Sequence, residues 1–436
     1  MKRIAIVIVL ALLAGALTAP KLIGDRAHRE YLRSFTEYPS SSSGISIEQK
    51  SYVQSWFSST AVTVLNIPLN NPEIKDVSIV ITSRISHGPI LFTGKGISLG
   101  LAYVSYDMTL ADLPASTQKL ADQYLPAGTI TGASLIGFDQ ISRDTMHVRR
   151  INFKDGKTSA EFGGMESTGV SKLDYSMLKG SIVLPASHLT SENLTVDIAD
   201  AAVSYDQHKY LGMLLGKTDM NIPQVSLVSK QGTVILEDMS FASNSEEQSG
   251  KVNMTGSFDV RKITAPIPIT GIQYDIALNQ VDDKVFALWA DISKDMQPRP
   301  AEPAAVLNNP KMRQFLELLL QKGIEMKQQF TLDGVDGKLN INWEMHSTGL
   351  PEGMHIDGNS DRDKILKAID SLMTVSIDEK MLMASPLAKL VGPYMQRGMI
   401  VKQGNKLVSK IKLVNGVLTV NGIPAPMKKA GNQGAT

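Results

Sequence analysis

Val252-Asn253-Met254-Thr255-Gly256-Ser257-Phe258-Asp259-Val260-Arg261 sets an apolar or small residue at every second position and a polar one between. Successive side chains of an extended chain point to opposite faces, so this stretch has one apolar face and one wet face. That is the pattern of an antiparallel strand in a half-buried sheet. Ile272, Tyr274, Ile276 and Leu278 repeat it against Gln273, Asp275 and Asn279. Residues 194–198 and 339–345 do so cleanly, and residues 77–81 imperfectly. Breaks such as Asp155-Gly156, Gln231-Gly232 and Thr270-Gly271 punctuate these runs. Asn415-Gly416, a dipeptide favoured in tight primed turns, predicts a hairpin between strands 407–414 and 417–420.

Helical patterns are sparser. They are expected over 115–124, ended before Pro126, and over 308–329, where Asn308-Asn309-Pro310 reads as a cap with a first-turn proline. Residues 361–373 and 378–397 are also read as helical. The resulting fold class is α+β and predominantly antiparallel β: an extended, curved amphipathic sheet with a few packed helices, plus an N-terminal transmembrane helix. The regions are an anchor over 1–24, a juxtamembrane helix and linker over 25–44, and a β-rich region over 45–296. A Pro-rich linker comes next over 297–307, then a helix-plus-strand region over 308–427 and a flexible tail over 428–436.

The transmembrane expectation rests on Met1-Lys2-Arg3 and the uncharged run from Ile4 to Ala19, which as a helix would span ~24 Å. Ala14-Gly15-Ala16 offers small residues for signal cleavage, but Pro20 would sit beside a cut after Ala19. The reading adopted is an uncleaved anchor. Lys21, Arg26, Arg29 and Arg33 outnumber Lys2 and Arg3, so charge alone argues against export of the chain beyond Ala19.

Composition removes several classes of function. The 436 residues are 43% hydrophobic, which suits one large or two ordinary domains with a real core. A formal charge of +1 supplies no basic field for nucleic acid. With no cysteine there is no disulfide, thiolate metal site or cysteine nucleophile. Twenty methionines suit either a soft core or an apolar binding surface.

The seven histidines include no pair at metal-binding helical spacing. His87, in Ile85-Ser86-His87-Gly88-Pro89-Ile90, could act as a base or ligand held at a turn. The reading preferred for it is structural, its nitrogens bonding backbone groups freed where Gly88 and Pro89 interrupt the ladder. No nucleophile elbow, phosphate loop or dinucleotide fingerprint occurs, and Gly94-Lys95-Gly96 is read as a turn. Asp282-Asp283 and Glu246-Glu247 are read as solvated strand ends, and Asp333-Gly334-Val335-Asp336-Gly337 as a turn without calcium-ligand spacing. No catalytic, cofactor-binding or metal-ligating residue is therefore expected.

Four stretches together resemble the YdgA/YihF-type bacterial proteins, an exported group described as a domain of unknown function. They are the N-terminal apolar run, Tyr52-Val53-Gln54-Ser55-Trp56-Phe57-Ser58-Ser59, the Ile85-Ser86-His87-Gly88-Pro89 motif with Leu99-Gly100, and a closing block. That block runs from Met399-Ile400-Val401-Lys402-Gln403-Gly404-Asn405-Lys406-Leu407 through Gly416-Val417-Leu418-Thr419-Val420-Asn421-Gly422. The motif positions are thus Trp56, His87, Gly88, Pro89, Gly100, Gly404, Gly416, Asn421 and Gly422. The resemblance implies a single-pass protein of the bacterial inner membrane with its bulk in the periplasm, and it implies no reaction. The function expected is a membrane-tethered, non-enzymatic envelope protein whose sheet holds an apolar partner such as lipid. A scaffold for protein–protein assembly is the alternative, and a hydrolase using His87 the third reading.

Overall fold

The alternating stretch around Val252 forms a strand over Lys251–Thr264 in the computed structural model, which describes residues 19–25, 46–68, 76–94, 96–295, 310–347, 349–350 and 362–425. The described chain is mostly antiparallel sheet with a few helices, and it divides into two compact units.

The N-terminal unit is built on β1 (Ser46–Gln54), β2 (Ser58–Pro68), β3 (Asp76–His87), β4 (Ile90–Thr93), β5 (Gly96–Leu99) and β6 (Ala102–Ala111). Next come β7 (Ile130–Ile136), β8 (Ile141–Val148), β9 (Ile151–Asp155), β10 (Thr158–Phe162), β11 (Met165–Lys172), β12 (Met177–Leu184) and β13 (Ser187–Thr190). Strands pair antiparallel in the order β1-β2-β3-β6-β7-β8-β11-β12. β4 and β5 pair only with each other, as a separate hairpin between β3 and β6. The helix Ala115–Tyr124 matches its sequence expectation.

β14 (Leu194–Ile198) belongs to the C-terminal unit, and β15 (Ala201–Tyr210) falls largely to the N-terminal one. The C-terminal unit continues with β16 (Met213–Ser229), β17 (Gly232–Gln248), β18 (Lys251–Thr264), β19 (Ile269–Asp282), β20 (Glu325–Gly334) and β21 (Gly337–Ser347). It ends with β22 (Ile369–Asp378), β23 (Val401–Gln403), β24 (Lys406–Val414), β25 (Val417–Val420) and the short β26 (Ile423–Pro424), which pairs with β25. Its order is β14-β16-β17-β18-β19-β20-β21-β22-β24-β25, antiparallel throughout. Leu215, Val252, Val281, Val285, Phe286 and Ile324 form its main core, joined by Phe315, Leu318 and Leu319 of the helix Pro310–Lys322. A second cluster, Leu382, Val391 and Leu407, forms where the helices Glu379–Met383 and Ala388–Gln396 meet the sheet. Burying side chains of this size contributes about 1.5–3 kcal/mol each, so both ends of the sheet are held by helices.

Several expectations are corrected. The N-terminal transmembrane helix is not found: among the described residues no helix is long and apolar enough to cross a membrane. Residues 1–18 of the expected anchor lie outside the described residues, and 19–25 form a helix of ~10 Å. Most of the 25–44 segment, the 297–307 linker and the 428–436 tail also lie outside them. The helix expected over 308–329 stops at Lys322, where Gly323 takes φ +81° and Ile324, Met326, Gln328 and Phe330 begin a period of two. The helix expected over 361–373 is helical only over Arg362–Lys367, because pairing to β21 and β24 draws the following residues into β22. The helix over 378–397 is two pieces, since Pro386 lacks an N–H and disfavours helix at Ser385. Asp283 starts an unexpected helix, Asp283–Asp295, rather than lying in a solvated turn.

Candidate functional site

The motif residues of the N-terminal unit converge on one end of its sheet. β2 and β3 place Ser59 and His87 side by side, with the Ser59 Oγ and His87 Nε2 2.9 Å apart. Both are buried, at 3% and 2% exposure. His87 N donates to the Phe57 carbonyl at 2.9 Å, tying β3 to the β1–β2 turn that carries Trp56. Burial lowers the His87 pKa, opposed by the Trp56 backbone and the Asp25 charge. Nδ1 itself makes no hydrogen bond of good geometry among the described residues, so the Trp56 backbone acts as a weak acceptor at most. Burial likewise raises the Tyr52 hydroxyl, against a contact with Ser59 that lowers it and the Asp25 charge that raises it further.

Helix 19–25 closes this cluster. The Lys21 Nζ sits 5.3 Å from the Trp56 ring centroid, a cation–π distance. Asp25 Oδ1 accepts from Gln54 Nε2 at 2.8 Å. Gly24 lies directly on the imidazole, where an added Cβ would fall 2.5 Å from His87 Cε1. Beyond His87, Gly88 N donates to the Leu101 carbonyl at 2.8 Å, and Gly100 N to the Pro89 carbonyl at 3.1 Å. A Cβ on Gly88 would overlap the Gly100 carbonyl oxygen, and one on Gly100 would lie 2.6 Å from that of Ile136. These two glycines permit the chains to cross where β4–β5 leaves the sheet.

The Ser–His spacing is that of a nucleophile and its base, but acyl transfer needs the oxygen to meet a substrate carbonyl. With both groups buried beneath Gly24, the geometry performs a fastening role. His87 is held by a side chain, Ser59, rather than by the backbone groups expected from its turn. Among the described residues, no group of three or more His, Asp or Glu side chains is placed to hold a metal ion.

Gly404, Gly416, Asn421 and Gly422 fall in the C-terminal unit and serve its closing hairpins. Asn415 and Gly416 take φ +50° and +77°, as a two-residue primed turn requires. Asn421, at φ +49°, accepts from Lys410 N through Oδ1 at 2.9 Å and donates through Nδ2 to the Gly398 carbonyl at 2.9 Å. Gly404 and Gly422 also take positive φ, at +63° and +83°.

Single residues miss what the C-terminal sheet builds from register. Across seven strands, Met220, Phe241, Phe258, Tyr274, Phe330, Ile341 and Val375 pair in one continuous rung. None is buried, and Phe241 is 39% exposed. The helices cover this face at its two ends and leave the rung between them. On the opposite face, Lys217, Asn244, Thr255, Lys327 and Glu344 line an open concavity of about 820 Å³, with Asp219, Ser257, Asp275, Gln329 and Asn342 beside them. Ala242, Ile276 and Ala277 also line it, so the concavity mixes charged and amide side chains with apolar surface, and the row of large apolar side chains is on the other face.

A model of the family described as bacterial protein of unknown function (DUF945) matches residues 1–428. The chain belongs to this family. No curated protein and no solved structure matches it. The family's breadth over the chain includes both the His87 end and the closing hairpins, and its description assigns no activity to either.

Proposed function

We propose that this chain is a non-enzymatic envelope protein that carries an acyl chain of the lipid class on the apolar face of its C-terminal sheet. The observation behind this reading is the partly buried apolar rung from Met220 to Val375, with Phe241 39% exposed. Six spacings of ~4.8 Å make it about 29 Å long, ample for one acyl chain, which fills about half of a ~30 Å hydrocarbon core. Four neighbouring aromatic rings offer large apolar area on a surface whose flanks are already sealed by helices. A narrower kinship with the YdgA/YihF-type proteins, and a place at the periplasmic face of the inner membrane, belong to this proposal. The charge of +1 keeps nucleic acid out of it.

Protein purified from its native membrane should release phospholipid or another acyl compound on solvent extraction, read by mass spectrometry. The Phe241→Glu/Phe258→Ser variant, folded by circular dichroism, should release much less. Equal release from both proteins, or none from the wild type, removes the ligand reading. The concavity, with Lys217, Lys327, Asp219 and Asp275 among its lining, favours a second reading, a scaffold that seats an extended segment of another envelope protein. Crosslinking from Thr255 that captures only lipid or only the chain itself counts against it.

A further inference from the structure

β4 and β5 make a hairpin whose two faces differ sharply. Ile90 pairs with Leu99 and Phe92 with Ile97, so the four side chains share one face. They are 50%, 69%, 74% and 72% exposed in that order, while Leu91 on the other face is fully buried. An apolar face this open, on a strand pair that joins no larger sheet, is unexplained by packing. Trp56, Phe57, Val53 and Leu22 are exposed at the same end of the unit.

We propose that this hairpin face, with the Trp56-Phe57 turn, rests in the interfacial layer of a lipid bilayer. Three features select lipid over other occupants. First, residues 4–18, uncharged and apolar in sequence, lead into helix 19–25, which packs against Trp56 and His87 at this very end. Second, the local charge suits anionic headgroups. No charge occurs between Ser51 and Asn66, and Lys95, itself outside the described residues, is the only one between His87 and Asp107 in the sequence. Lys21 adds a second cation beside Trp56, whose ring prefers the interface, and the one anion of the same helix, Asp25, is engaged by Gln54. Third, the four side chains expose on the order of 500 Å², short of the roughly 800 Å² per partner that a stable dimer buries. Shallow insertion of an amphipathic face needs no such area.

The absence of cysteine makes the test clean, because any introduced thiol is the sole one. Phe92→Cys, Ile97→Cys and the control Lys157→Cys, each in the full chain, are labelled with an environment-sensitive fluorophore. Each is reconstituted into phosphatidylethanolamine–phosphatidylglycerol vesicles with or without brominated acyl chains. Thermal melts first establish that the labelled proteins fold as the wild type does. The expected result is blue-shifted emission at 92 and 97, quenched more by bromines about 5–10 Å below the headgroups than by deeper ones. The label at 157 should stay water-like and unquenched. Blue-shifted but unquenched labels at 92 and 97 would mean that protein covers the face, whether residues 4–18 or a second copy, and would overturn the proposal. Water-like emission at both would overturn it too.

Discussion

Protonating His87 means placing a charge in a site only 2% exposed, so the fold favours the neutral ring and holds its pKa below the ordinary value of 6.5. An unfolded chain then binds a proton that the native one refuses. Stability is complete above about pH 6.5 and falls as the pH drops below it, with a slope of at most about 1.4 kcal/mol per pH unit. Urea titrations between pH 8 and 5 should show this loss in the wild type and a flatter curve for His87→Gln, whose amide can still meet Ser59. Parallel curves would show that His87 does not titrate. Asn421 offers a second residue whose role is structural on both sides of its amide. Asn421→Ala should cost about 1–3 kcal/mol, through two lost hydrogen bonds and a left-handed backbone that alanine resists. Asn421→Asp keeps the acceptor for Lys410 and should cost less; equal losses would mean that the Lys410 contact contributes nothing.

Among the elements, the closing hairpin gives the plainest test of turn chemistry. Gly416 sits at φ +77°, and an added Cβ would come 3.1 Å from Lys367 Cγ. Gly416→Ala should therefore cost about 1 kcal/mol or more in thermal denaturation, while Val417→Thr on the exposed neighbouring strand should cost little. This hairpin was readable from Asn415-Gly416 because a primed turn demands those residues locally. The long strands around Val252 and Ile272 were readable for a related reason, since one face of each meets apolar neighbours and the other meets water. Helix lengths were less so. Ile324 to Phe330 and Ile369 to Ile377 carry enough apolar residues to continue a helix, and only pairing with distant strands makes them extended. At the site, the His-Gly-Pro motif marked the right end of the N-terminal sheet. Its meaning depended on Gly24, which carries no motif of its own, and on Ser59, the end of the Tyr52–Ser59 stretch; both reach His87 only by packing. The apolar rung had no signal in any one strand, because it exists only once seven strands are in register.

Taken as a whole, the chain has neither disulfides nor a dominant charge, so its stability comes from sheet and core and responds to whatever else binds the native state. If an acyl ligand lies along the rung from Met220 to Val375, it binds folded protein and not the unfolded chain, where those residues are scattered over more than a hundred positions. Mass action then adds RT ln(1 + [L]/Kd), about 2.7 kcal/mol at a hundredfold excess over Kd. Stripping the purified protein of acyl compounds should lower its Tm, and restoring a soluble fatty acid below its micelle-forming concentration should raise it again in a dose-dependent way. Phe241→Glu/Phe258→Ser should start from a Tm close to that of the stripped wild type and respond little to added ligand, because the change removes the apolar contact at the centre of the rung. A variant that responds as fully as the wild type would move the ligand off this face, and a wild type indifferent to stripping and refilling would remove the acyl-ligand reading.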